Sequence, residues 1–240
     1  MSTSLDLLRK GPLGSVEHLS VLSTTPPRRF LTSATLMHVA RSLVPLVQMF
    51  AYDVTLPKAV VFDLDGCLWY PDMYMLWSGG GPPFAVRDDR DLDSVSGTRV
   101  YLLGDVRNIL YALKTDPFYS DVAVGIASCT DEPGWARECL QKFEVGPAGS
   151  GVMLGDCVRP DMIEIFKDTK QTHLKNIAKT VGCDLEEILF FDNERGNCMD
   201  VAAIGTSVAF VPEGVTAKSW ESALERFPEP GEIFDNRKES

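Results

Sequence analysis

From about Leu56 to about Phe227, uninterrupted apolar runs alternate with stretches of helical periodicity. The run Ala59-Val-Val-Phe62 has the composition of a strand covered on both faces, and 121–130 and 187–194 repeat it. Between the first two, Val106, Ile109, Leu110 and Leu113 fall on one face of a helix predicted over 105–115. Trp135, Cys139, Leu140 and Phe143 mark another over 131–142, and Leu174, Ile177, Ala178 and Val181 a third, preceded by Lys170. A fourth, over 194–204, stops at Gly205, and a short strand over 207–211 follows. Strand and helix in alternation predict an α/β fold, a doubly wound parallel sheet. The stretch 69–101, rich in Gly, Pro and Asp, breaks the pattern and is too short for a large cap domain.

The ends of the apolar runs carry the chemistry. Ala59-Val-Val-Phe-Asp63-Leu-Asp65-Gly66 ends in two carboxylates two residues apart, which start out on the same side of the strand. Such a pair suits a divalent cation and a division of nucleophile and proton-transfer work, although a plain strand followed by an Asp-Gly turn reads the same way. The second run ends in Ser128-Cys129-Thr130 and the third in Asp192-Asn193-Glu194. In an open parallel sheet the carboxyl ends of the strands share one edge, so these groups converge despite their separation in sequence.

Asp63-Leu-Asp65-Gly66, Ser128, Lys170 and Asp192 stand in order as the four motifs of the haloacid dehalogenase superfamily of phosphotransferases, which the chain resembles. It is most similar to the small magnesium-dependent phosphatases of that superfamily, through Asp63-Leu-Asp-Gly-Cys-Leu-Trp69, Ala127-Ser-Cys-Thr130, Lys170-Gln-Thr-His173 and Phe190-Phe-Asp-Asn-Glu-Arg195-Gly-Asn197. The resemblance implies a Rossmann-type fold without a large cap, phosphomonoester hydrolysis with Mg²⁺, and phosphotyrosine, sugar phosphates or similar small phosphoesters as substrates. One departure is Asn193, where the family usually carries a second Asp; an amide oxygen remains an acceptable ligand for a hard cation.

The chemistry expected of these residues is in-line attack by Asp63 to give an aspartyl-phosphate. Asp65 would protonate the leaving group and then activate water. Mg²⁺ is expected on Asp63, Asp192 and Asp65, the last through its backbone carbonyl. Ser128 and the backbone N–H of Cys129 would donate to the phosphoryl oxygens, with Lys170 adding positive charge. Trp69, Tyr70, Tyr74 and Trp77 are expected to hang over an open site, where they either stack on a leaving group or simply pack. His173 reads as a solvated or capping histidine one turn from Lys170. Two function classes stay open: a phosphomonoesterase, or a catalytically weak relative serving as a binding or regulatory module.

Other chemistries find no support. None of the six cysteines is followed by Arg at the sixth position, as a cysteine-dependent phosphatase requires, and Gly79-Gly-Gly-Pro-Pro83 lacks the lysine and hydroxyl of a nucleotide loop. Three scattered histidines do not make a zinc site. With 45% hydrophobic residues in 240, the chain buries a core without disulfides, and unspaced cysteines point to a reducing, cytoplasmic setting. A net charge of -11 argues against nucleic acid or anionic membrane and repels phosphorylated small molecules or phosphoproteins at long range. Residues 1–54 form a separate extension: in its first fifty positions Arg9, Lys10, Arg28, Arg29 and Arg41 oppose only Asp6 and Glu17. It is either an organelle-targeting segment or a packing or poorly ordered arm, with a mildly amphipathic helix over 34–50 interrupted by Pro45. The apolar stretch 43–52 is too short to span a membrane. The catalytic domain is expected over 55–228, with a tail over 229–240.

Overall fold

A computed structural model describes residues 55–235; the N-terminal expectations, including the helix over 34–50 and the targeting segment, lie outside the described residues. The first strand, β1 (Ala59–Phe62), leads into an insertion holding β2 (Trp69–Tyr70), β3 (Ala85–Val86), β4 (Leu92–Asp93) and β5 (Arg99–Leu102). Helix α1 (Val106–Thr115), β6 (Ala123–Ser128), α2 (Pro133–Lys142), β7 (Ile163–Ile165) and α3 (Lys170–Val181) follow. The chain continues through β8 (Ile188–Asp192), α4 (Arg195–Ala202), β9 (Ser207–Phe210), α5 (Ala217–Arg226) and β10 (Ile233–Phe234).

Six strands form one sheet in the order β10-β9-β8-β1-β6-β7, every pairing parallel. β1 lies at its centre, which is why all four of its residues are apolar and buried. The sheet extends past the expected boundary at 228, because Ile233–Phe234 pairs with β9. The other four strands, of two to four residues, make a small antiparallel sheet in the order β2-β5-β4-β3. This is the segment where no periodicity was legible, and its modest size agrees with the absence of a large cap.

Strand alternation sorts the core into two layers. Val60, Phe62, Leu189 and Phe191 belong to one hydrophobic cluster, with Ile109, Leu110 and Leu140. Ala59, Val61, Ile188 and Phe190 belong to the other, with Leu174 and Ile177 from α3. By the same parity Asp63 and Asp192 leave their strands toward the α3 layer. The insertion is pinned by Arg107, which donates to the Asp91 carboxylate and to the carbonyls of Glu144 at 2.6 Å and Arg90 at 3.1 Å. Among the described residues no helix is long and apolar enough to cross a membrane, and all six cysteines are free.

Candidate active site

Register places the acids and hydroxyls together. Phe62 pairs with Ile126 on one side and Phe191 on the other, so β1, β6 and β8 end at one level. The backbone N–H of Asp63 continues the ladder by donating to Phe191 O at 2.9 Å. The chain then turns sharply at Gly66, whose φ of 74° favours glycine, while Asn193 packs directly over the missing side chain. A methyl group there would lie 2.3 Å from Asn193 Nδ2. Gly66→Ala is therefore expected to cost about 1–3 kcal/mol, read from urea unfolding, through combined backbone strain and displacement of Asn193. An unchanged midpoint would show that the turn relaxes freely.

Lys170 occupies the first position of α3, after Thr169, whose hydroxyl caps the helix by accepting from Thr172 N at 3.2 Å. That is an adverse place for a cation, since the helix dipole opposes it and the side chain is almost wholly buried. Two carboxylates compensate. Lys170 Nζ donates to Asp63 Oδ1 and to Ala127 O at 2.7 Å, and lies 3.3 Å from Asp192 Oδ2. Burial alone would lower its pKa, but the charges of Asp63 and Asp192 outweigh that and raise it. The fully buried Asp192 is pushed upward by burial and by the Asp63 charge; its carboxylate is held by Glu194 N at 2.7 Å and Asn197 Nδ2 at 3.1 Å.

Asp65 is oriented differently. Its carboxylate accepts from Trp69 Nε1 at 2.7 Å and Met73 N at 3.2 Å, and its pKa is raised to about 6, chiefly by burial and secondarily by Asp63. Trp69, expected to overhang the site, is instead fully buried and stacks on Phe143 at 6.0 Å between ring centroids. Its indole N–H gives it a positioning contact that composition could not show. Tyr70, Tyr74 and Trp77 are exposed, and of the three it is Tyr74 that lines the cavity holding the acids. His173 also departs from expectation. It is fully buried against Phe166, with ring centroids 4.4 Å apart, and neither ring nitrogen has a hydrogen-bond partner among the described residues.

Asp63, Asp65, Ser128, Cys129 and Lys170 line one cavity of about 290 Å³, with Asp192 buried behind Lys170. Ser128 accepts from Thr130 N at 3.3 Å, and Cys129 donates its thiol to Asp168 O at 2.9 Å. Tyr74 and Glu194, both named from the sequence, share the lining, together with Asp72, Asp131 and Lys167, to which sequence reasoning gave no site role. A larger cavity, about 680 Å³, opens by Asp121 and Val122 at the opposite end of β6 and contains none of the converging acids. Asn193 does not line the acid cavity, and its side-chain oxygen is buried without a partner.

The acid cavity is short of positive charge: Asp63, Asp65, Asp72, Asp131 and Glu194 line it against Lys167 and Lys170. No group of three or more His, Cys, Asp or Glu side chains is arranged to hold a metal among the described residues. The Asp63 and Asp192 carboxylates, crowded on a single ammonium, nevertheless make an oxygen-only pair with excess negative charge. A small divalent cation that keeps several waters suits such a pair, with the Asp65 backbone carbonyl as a further oxygen.

Comparisons with known proteins place relatives beside this chain. A family model described as Acid Phosphatase matches residues 55–230. Magnesium-dependent phosphatase 1 of Homo sapiens is 28% identical over 174 residues, covering 72% of this chain and 88% of the relative. A HAD-like hydrolase superfamily protein of Schizosaccharomyces pombe is 29% identical over 154 residues, 60% of this chain and 80% of the relative. Among solved structures, the N-terminal part of a Bacteroides fragilis protein containing a phosphatase domain, complexed with Mg, aligns at 15% identity and a TM-score of 0.49, covering 83% of this chain and 47% of that one.

Proposed function

Because this chain belongs to the Acid Phosphatase family, we propose that it hydrolyses phosphomonoesters with Mg²⁺ through an aspartyl-phosphate on Asp63. The haloacid dehalogenase resemblance read from the four motifs holds, since a matched relative is a HAD-like hydrolase. The observation that carries the mechanism is the contact of Lys170 with both Asp63 and Asp192, at the edge where Ser128 also ends its strand.

Asp63 is the nucleophile: its Oδ1 is held by Lys170, which fixes the orientation of the carboxylate. Asp65, oriented by Trp69 and Met73, supplies the proton to the departing oxygen and later takes one from the attacking water. Ser128 and the Cys129 backbone N–H receive the phosphoryl oxygens. Asp63, Asp192 and the Asp65 carbonyl would hold Mg²⁺, which when bound offsets the repulsion between an anionic nucleophile and an anionic ester. Substrates are phosphorylated small molecules such as aryl or sugar phosphates, or a phosphotyrosine side chain, which the exposed rim beside Tyr74 leaves room for.

The test is turnover of a panel of sugar phosphates, nucleotides and phosphotyrosine peptides. Chelation with EDTA is expected to reduce turnover to background, and added Mg²⁺ to restore it. The same titration followed by thermal unfolding is expected to show stabilisation that grows with the logarithm of free Mg²⁺ once its concentration exceeds Kd. Undiminished turnover in chelator would remove the metal from the mechanism. Absence of turnover across the panel would favour the binding-module alternative.

A further inference from the structure

Lys170 has no donor to spare. An ammonium has three N–H groups, and those of Lys170 face Asp63, Ala127 O and Asp192. It supplies charge to the site, but a phosphoryl group entering the cavity meets an ammonium whose partners are already in place. The remaining cation of the lining is Lys167, three residues earlier on the approach to α3. Its one partner among the described residues is Asp131, at 2.7 Å, and the two side chains are 60% and 42% exposed. Asp131 follows the Ser128-Cys129-Thr130 loop and lines the same cavity.

An exposed pair of this kind is weak, because water and salt screen it and both side chains surrender rotamer freedom. A phosphoryl dianion offers Lys167 twice the charge of Asp131 in a partly enclosed place. Every other charged side chain of the lining apart from Lys170 is acidic, so beside the metal that the acids would hold, Lys167 is the accessible side-chain cation for an incoming anion. Building on the phosphatase reading, we propose that Lys167 is the substrate-capture cation of this site, held by Asp131 until a phosphoryl group displaces that carboxylate. Asp131 is then a competitor of the substrate for Lys167, and loss of either partner acts in opposite directions.

The experiment measures KM for p-nitrophenyl phosphate and, by titration calorimetry, the dissociation constant of inorganic phosphate, which reports binding without chemistry, with Mg²⁺ saturating. Lys167→Gln is expected to raise both about three- to fivefold, and Asp131→Asn to lower both by a similar factor, the scale of one exposed ion pair. In the double variant Asp131→Asn is expected to have no further effect, since its competition works only through Lys167. If both single variants shift phosphate binding in the same direction, the pair is a structural tether and the inference fails. It fails equally if Asp131→Asn gives its full gain in the Lys167→Gln background, which is the signature of a general field. Absence of wild-type turnover on any ester would instead overturn the phosphatase reading, whereas phosphate binding still reports on Lys167.

Discussion

Replacing Asp63 by Asn is expected to lower phosphomonoester turnover by at least about 10⁴-fold while leaving the protein folded. The amide is a far poorer nucleophile and a weaker cation ligand than the carboxylate, so covalent attack and metal binding are lost together. The fold survives for a local reason. The backbone of residue 63 still donates to Phe191 O, and Lys170 keeps Asp192 and the Ala127 carbonyl, so no buried charge is stranded. Beryllium fluoride, a mimic of the phosphorylated carboxylate, is expected to inhibit the native enzyme and to leave the thermal midpoint of Asp63→Asn unmoved. Turnover in the variant within tenfold of the native rate would remove Asp63 as nucleophile.

What the sequence disclosed and what it hid follow from how each residue is specified. The central strands were legible because burial on both faces demands apolar runs, as in β1 and β8, whose every residue is buried. Asp63, Asp65, Ser128 and Lys170 were legible because a parallel sheet brings strand ends to one edge, and they do line one cavity. The insertion was not, since strands of two residues such as β2 and β3 are too short to show a period. Helix α5 was passed over although Trp220, Ala223 and Leu224 have helical spacing and Thr216 caps it, so there the signal existed. Trp69 and His173 show a different limit. Nothing local tells an overhanging tryptophan from one buried under the acid loop, or a solvated histidine from one packed on Phe166. Lys167 was invisible for the same reason: an exposed lysine acquires meaning only beside a cavity whose other lysine is fully engaged.

Asp65→Asn is expected to separate acid catalysis from nucleophilic attack. The side chain accepts from Trp69 Nε1 and Met73 N, so the variant keeps one of these contacts through its amide oxygen and retains its backbone carbonyl as a cation ligand. What it loses is the proton. Removing a general acid costs about 10²- to 10⁴-fold when the leaving oxygen is basic. An alkyl phosphate expels an alkoxide and should show the full loss in the first step. For p-nitrophenyl phosphate, whose phenolate needs little protonation, the first step should fall by less than about tenfold. Steady-state rates would conceal this difference, because in the proposed mechanism Asp65 would also activate the water of the second step and the phosphoenzyme would accumulate. The informative measurement is thus the pre-steady-state burst of p-nitrophenol, set against quenched-flow release of alcohol from an alkyl ester. A retained burst with a suppressed alkyl step assigns the proton to Asp65; equal first-step losses for the two esters would leave Asp65 as the anchor of Trp69 and nothing more.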